Sequence, residues 1–238
     1  MPDFRKHRGA HPEDHRLFAN DQLPALGIAV AELSWLLTRD YTVKAAVKLV
    51  GDRHALTERQ RLAVSRAACS DQSREHRTQT HLAVADLSGA EVVIDGFNLI
   101  ITSEAALSGG VLLVGRDGCL RDLSSVHGSY RAVAETKRAV QLIGELLAAS
   151  APKSVKWLLD KPVSNSGRLA QLIRDSAAEN GWPWTVETCF NPDREIVSSA
   201  QVVISSDGPL LEQVGCWTNF TRQLVEKMVE APWLIDLS

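Results

Sequence analysis

The chain has few of the features that usually classify a protein from its sequence. It holds 4 cysteines in 238 residues. These are Cys69, Cys119, Cys189 and Cys216, with no CxxC pair among them, which excludes a zinc ribbon and gives no disulfide framework. No apolar run approaches the ~20 residues that a membrane helix needs. Met1 to Glu13 is charged and has no apolar core, so it does not read as a secretory leader. GxGxxG, GxxxxGK[ST] and GxSxG are all absent, which argues against a dinucleotide fold, a P-loop and a serine esterase. No internal repeat or low-complexity tract stands out. What remains is an ordinary globular composition, with 45% hydrophobic and 23% charged residues. The expectation is a soluble protein of a reducing, cytoplasmic compartment.

Charge is unevenly spread. Residues 1–88 carry 13 Lys and Arg against 11 Asp and Glu, whereas residues 89–238 carry 13 against 18. The imbalance is far from the basic signature of a dedicated nucleic-acid-binding domain. Residues 1–21 read as a flexible arm. His7, His11 and His15 have the spacing of a shared helix face, but Gly9 and Pro12 break that helix. Residues 22–80 read as a small all-helical module. Leu26, Ile28, Val30, Leu33, Leu36 and Leu37 form one broad apolar band, Ala45, Ala46, Val47, Leu49 and Val50 another, and Thr57 with Gln60 makes a capping-box start. Ser70 to His81 is polar and reads as a connector.

From about Gly89 the pattern changes to short apolar runs alternating with helical spacing. Residues 89–238 are therefore expected to form an α/β domain, a parallel central sheet with flanking helices. Three of the runs end in aspartate: EVVID at Asp95, VKWLLD at Asp160 and QVVISSD at Asp207. Sites in such sheets form at the carboxyl ends of strands. Carboxylates gathered there repel one another unless a cation neutralises them, and an all-oxygen set suits Mg²⁺ or Mn²⁺. Taken singly, each Asp is better read as capping the following helix or starting a turn, and it is the three together that point to a site. The segment 101–131 adds Arg116, Arg121, His127 and Arg131, side chains suited to holding phosphate or moving a proton, or to an internally salt-bridged hairpin.

Asp95-Gly96-Phe97-Asn98, directly after a strand, resembles the D-G-[YF]-N opening of PIN-like and NYN-type nuclease domains. Ser205-Ser206-Asp207 resembles their late S-x-D motif, and Asp193 in PDREI resembles the acidic residue opening the preceding helix. The resemblance implies a metal site of Asp95, Asp160, Asp193 and Asp207, joined by Glu135. Asn98 and Ser205 of these motifs are candidate substrate contacts, together with Arg116, Arg121, His127 and Arg131 of the 101–131 segment, which is longer than in minimal PIN-like domains. The activity implied is a metal-dependent ribonuclease, in which water activated by a carboxylate-held Mg²⁺ or Mn²⁺ hydrolyses an RNA phosphodiester. A non-catalytic RNA- or protein-binding module and a small-molecule phosphohydrolase are the competing readings. Over most of its length the chain also resembles domain-of-unknown-function family 434 with its C-terminal companion. Leu36 to Val50, Leu56 to Cys69 and Asp95 to Arg131 carry that likeness. RNA is the expected partner, with a homodimer or protein contact through the helical module.

Overall fold

The computed structural model describes residues 6–124 and 128–238. Five helices come first: α1 (Asp14–Leu17), α2 (Leu23–Leu37), α3 (Val43–Arg53), α4 (Glu58–Ala67) and α5 (Asp71–Gln79). The α/β part follows as β1 (Glu91–Asp95), α6 (Gly96–Leu107), β2 (Leu112–Val114), β3 (Leu120–Asp122), α7 (Thr136–Ser150), β4 (Ser154–Asp160) and α8 (Ser166–Asn180). It continues with β5 (Trp184–Cys189), α9 (Pro192–Ser198), β6 (Val202–Ile204), α10 (Gly208–Leu211), β7 (Trp217–Thr218), α11 (Phe220–Met228) and β8 (Leu234–Asp236).

The central sheet is five-stranded, in the order β5-β4-β1-β6-β7, and all its pairings are parallel. From β1 the chain builds outward through β4 to β5, then returns to the other side of β1 with β6 and β7. That reversal places a topological switch point beside the central strand, where α/β sheets open a crevice at their carboxyl edge. One face of the sheet, with Ile94, Trp157, Leu159 and Ile204, packs on α6, α7, α8 and α11 as the main core. The opposite face, with Val93, Leu158 and Val203, is covered by the short helices α9 and α10 and by Trp217.

Several local expectations hold. Thr57 and Gln60 form a reciprocal capping box at α4. Gly181 closes α8 in the left-handed conformation, with φ +67. Trp182 stacks on Trp184, which in turn meets the buried Trp157, so these rings are packing groups. Trp182 also lies flat against α7: a methyl group on Gly144 would sit 1.9 Å from its Cη2. Gly→Ala in a helix ordinarily gains up to ~1 kcal/mol, but overpacking costs about 1–3 kcal/mol. Gly144→Ala is therefore expected to destabilise by about 1 kcal/mol net, read as a lowered urea midpoint; a raised midpoint would show that Trp182 moves aside freely.

Two expectations are corrected. Ser70 to His81 is not a connector: Ser70 caps α5 by accepting from the Ser73 N–H, and α5 buries Arg77. The arm is not free over residues 6–21. Leu17 and Phe18 are buried in a core with α2, α3 and α4. Asp14 is fully buried against Arg59, and Arg8 is buried against the Glu104 carboxylate. Glu104 also accepts from Tyr130 Oη at 2.6 Å and Thr136 Oγ1 at 2.5 Å. Buried charges are tolerated when paired and hydrogen-bonded in this way, which is what fixes the segment. His15 stacks on Trp233, and His7 bonds Glu135, so neither histidine is presented with His11 as a ligand set.

The helical part is not a separate globule either. A second sheet, β3-β2-β8, pairs β2 antiparallel to β3 and parallel to β8. Leu113 and Ile235 on one of its faces enter the core formed by α1 to α4, while Leu112, Val114 and Leu120 on the other meet α6 and α11. The 101–131 segment thus supplies the hairpin that joins the two halves.

Candidate functional site

Asp95 ends β1 and Asp160 ends β4, in neighbouring strands. Asp207 follows β6 on the other side of β1, and Asp193 lies in the first turn of α9. The alternation of side chains puts Val93 and Asp95 on one face of the sheet, together with Lys156, Leu158 and Asp160. That is the face α9 covers.

The electrostatics bind the four together. Burial pushes the Asp95 carboxyl up to about 7, with Asp207 and Asp193 adding to the rise and the Ser205 hydroxyl opposing it. Burial also raises Asp160, again with Asp193 adding to it. Asp193 is raised by burial and by Asp207. Each carboxylate thus lies within the field of at least one other.

The motif residues hold the arrangement. Ser205 Oγ donates to Asp95 Oδ2 at 2.9 Å. Asn98 Oδ1 accepts from both the N–H and the hydroxyl of Ser206, each at 2.9 Å, and so locks the end of β6 to the start of α6. Gly96 is required by close approach: a Cβ there would lie 2.9 Å from the Leu158 carbonyl oxygen. Asp207 uses Oδ1 to accept from Leu210 N–H at 3.0 Å, so it caps α10 as well as facing its neighbours. Asp160 does not cap α8, whose N-cap is Asn165.

The other sequence candidates fall elsewhere. Glu135 precedes α7 and bonds His7 at 2.6 Å, so the structure does not bring it to the aspartates. Arg116 is occupied by Asp71 and the Cys69 carbonyl. Arg131 is exposed, and its carbonyl accepts from Arg8. His127 lies outside the described residues. Asn98 and Ser205 act as braces within the site. Arg121 has a role its type did not announce. It is doubly bonded to Asp117 and donates to the Ser206 carbonyl at 2.7 Å. Arg77 of α5, bonded to the same Asp117, donates to the Gly208 carbonyl at 3.1 Å. Two arginines locked on one buried carboxylate thereby bracket Asp207. Among the described residues, no three His, Cys, Asp or Glu side chains already stand around one point as a finished metal site.

The family described as Domain of unknown function (DUF5616) matches residues 84–223, which is the α/β part with all four aspartates. The chain belongs to this family. Residues 25–79 match a second family, Protein of unknown function (DUF434). The boundary between the DUF434 and DUF5616 segments falls after α5, the helix that delivers Arg77 to the loop carrying Asp207. The uncharacterized protein MJ0935 of Methanocaldococcus jannaschii is 29% identical over 184 residues, covering 77% of this chain and 88% of its own length. No solved structure matches the chain. No helix among the described residues is long and apolar enough to cross a membrane.

Proposed function

We propose that this DUF5616 protein is a divalent-metal-dependent ribonuclease of PIN-like type. The observation that carries the reading is the placement of Asp95, Asp160 and Asp207 at the carboxyl ends of neighbouring parallel strands, with Asp193 in the first turn of the helix that covers them, and with the carboxyls of Asp95, Asp160 and Asp193 raised by burial and by one another's company. The sequence likeness of D-G-F-N and S-S-D to nuclease motifs supports it. The donor set fits a hard cation: it is all oxygen, and its unfavourable charge gives a cation something to neutralise. A resident Mg²⁺ or Mn²⁺ would supply Lewis-acid charge at the scissile phosphate and lower the pKa of water beside it.

The chain's own residues do the rest. Asp95, Asp160, Asp193 and Asp207 would hold the ion. Ser205 orients Asp95, and Asn98 fixes the β6 loop against α6, so that the carboxylates keep their places. With its carboxyl pushed up to about 7, Asp95 is only partly ionised near neutral pH, and a bound cation would favour the ionised form. Arg77 and Arg121 hold the backbone on both sides of Asp207.

Cleavage of end-labelled single-stranded RNA by the full chain tests this. Cutting is expected with Mn²⁺ or Mg²⁺ and none with EDTA. Intact RNA under every metal condition would overturn the nuclease reading in favour of a non-catalytic binding module.

A further inference from the structure

The sheet face that bears the aspartates does not end with them. Beside α9 it opens into a pocket of about 630 Å³, lined among others by Val93, Lys156, Leu158, Phe190, Asn191 and Arg194. That volume falls within the usual range of ~300–1,000 Å³ for small-molecule sites. The pocket shares its sheet face with the acidic cluster without including any of the four aspartates in its lining. Val93 stands two residues below Asp95 on β1, and Leu158 and Lys156 stand below Asp160 on β4, all on one face. α9, whose first turn carries Asp193, forms the side wall.

The rim is marked by Phe190. Cys189 is the register partner of Asp160, and Lys161 N–H donates to the Cys189 carbonyl at 2.7 Å, so Phe190 follows immediately beside the acidic edge. The residue is 75% exposed, the most of any large hydrophobic residue described. Nothing in the core calls for an aromatic ring there. The Lys161 ammonium sits 4.8 Å from the ring centroid. Lys156 is paired with Glu187 at 2.8 Å, and Arg194 makes no side-chain ion pair among the described residues. An exposed ring, amide and hydroxyl groups on the wall and the cations Lys161 and Arg194 at the edge, with Glu195 the acidic member of the lining, suit an unpaired nucleobase with its flanking phosphates.

We propose that this pocket binds a base of single-stranded nucleic acid stacked on Phe190, with Lys161 and Arg194 holding the adjoining phosphates and the next phosphodiester laid at the aspartates. The proposal rests on the nuclease reading for the placement of that phosphodiester and deepens it by assigning Phe190, Lys161 and Arg194 as the residues that hold the strand. A duplex could not put a base into the pocket while keeping its stack.

The test is fluorescence anisotropy of short labelled single strands with the full chain in Ca²⁺ or EDTA. Base–aromatic stacking is worth ~1–3 kcal/mol, so Phe190→Ala is expected to weaken binding about 5- to 150-fold. Phe190→Trp should restore it. A strand of the same length made of abasic units should bind the wild type as weakly as the intact strand binds Phe190→Ala. Arg194→Gln should weaken binding and flatten its salt dependence. Equal binding by wild type and Phe190→Ala, equal binding of the abasic strand, or no binding of any single strand would each overturn the proposal. Binding does not require cutting, so the two readings fail separately. Phe190-dependent binding without cleavage leaves the pocket and removes the nuclease, whereas cleavage indifferent to Phe190 does the reverse.

Discussion

Asp95→Asn is expected to abolish metal-dependent cutting while making the protein more stable at pH 8. Loss of residues that merely support metal ligands costs ~10–100-fold, so loss of a ligand itself should cost at least about 100-fold. The stability gain follows from the raised pKa. Burial pushes the Asp95 carboxyl from the ordinary 3.8 of an unfolded chain up to about 7 in the fold. The folded state therefore keeps a proton that the unfolded chain gives up, and stability falls as pH rises from roughly 4 to 7. Above that window the whole penalty of an ionised, crowded carboxylate is present. The amide carries none of it. At ~1.4 kcal/mol per unit, discounted for relaxation and water entry, the variant should gain about 1–3 kcal/mol at pH 8 and almost nothing at pH 4. Calorimetry in EDTA at the two pH values measures this as a melting rise of about 3–10 °C at the higher pH alone. Added Mn²⁺ should then raise the wild-type melting temperature and leave Asp95→Asn unmoved. An equal shift at both pH values, or an Mn²⁺ response retained by the variant, would remove Asp95 from the site.

The second large effect is at Asp117, which no motif singles out. Its side chain is 1% exposed and binds Arg77 and Arg121, themselves 4% and 11% exposed. Replacing Asp117 with Asn removes the carboxylate that Arg77 and Arg121 share and leaves Arg121 with backbone carbonyls alone, while Arg77 keeps Glu212 at 2.9 Å. Breaking a buried pair from one side costs ~3–5 kcal/mol, so the melting temperature should fall by about 6–20 °C. The pH dependence is opposite to that of Asp95. The two arginines hold the Asp117 carboxyl far below its usual 3.8. Its contribution is present above pH ~4 and is lost as pH falls below that value toward the folded pKa. Urea unfolding at pH 7 and pH 3 should show a wide gap between wild type and variant that narrows in acid. A loss below about 1 kcal/mol at pH 7 would mean that the cluster is solvated after all. Because Arg77 and Arg121 hold the carbonyls of Gly208 and Ser206, the surviving folded variant should also bind Mn²⁺ more weakly.

What could be read in advance was local. Three apolar runs closing on aspartate, the Thr57 capping box and the Gly181 stop each depend on neighbours within a few residues, and the structure has them. The parallel sheet followed from strands alternating with helices. The misses are long-range. Arg8 and Asp14 lie in a polar stretch broken by Gly9 and Pro12, and their partners Glu104 and Arg59 are far along the chain. No periodicity reports such pairs. Helix α5 has no apolar stripe; its role is to carry Arg77 inward, and a helix anchored through a guanidinium looks like a linker. The arginines of the 116–131 segment were legible as a cluster, but whether a guanidinium faces a phosphate or a backbone carbonyl depends on where the β6 loop arrives. Phe190 carries no local mark that separates it from a core aromatic, because its exposure depends on how the turn after β5 leaves the sheet.

The small sheet has a consequence for how the molecule is made. Leu26, Leu33, Ala63 and Val64 share a core with Ile235 and Leu237, and β8 is held there by parallel pairing to β2. During translation the helices of the first third emerge long before the strand that completes their floor. They must wait with that apolar side uncovered while the ribosome supplies the intervening sheet. Such sequence-distant pairing is slow to form, and waiting surfaces of this kind are where nascent chains stick to one another. Yield in a cell should therefore respond more to holdase chaperones and growth temperature than the stability of the finished protein would suggest. A fusion partner placed after β8 should impair folding more than the same partner placed ahead of α1.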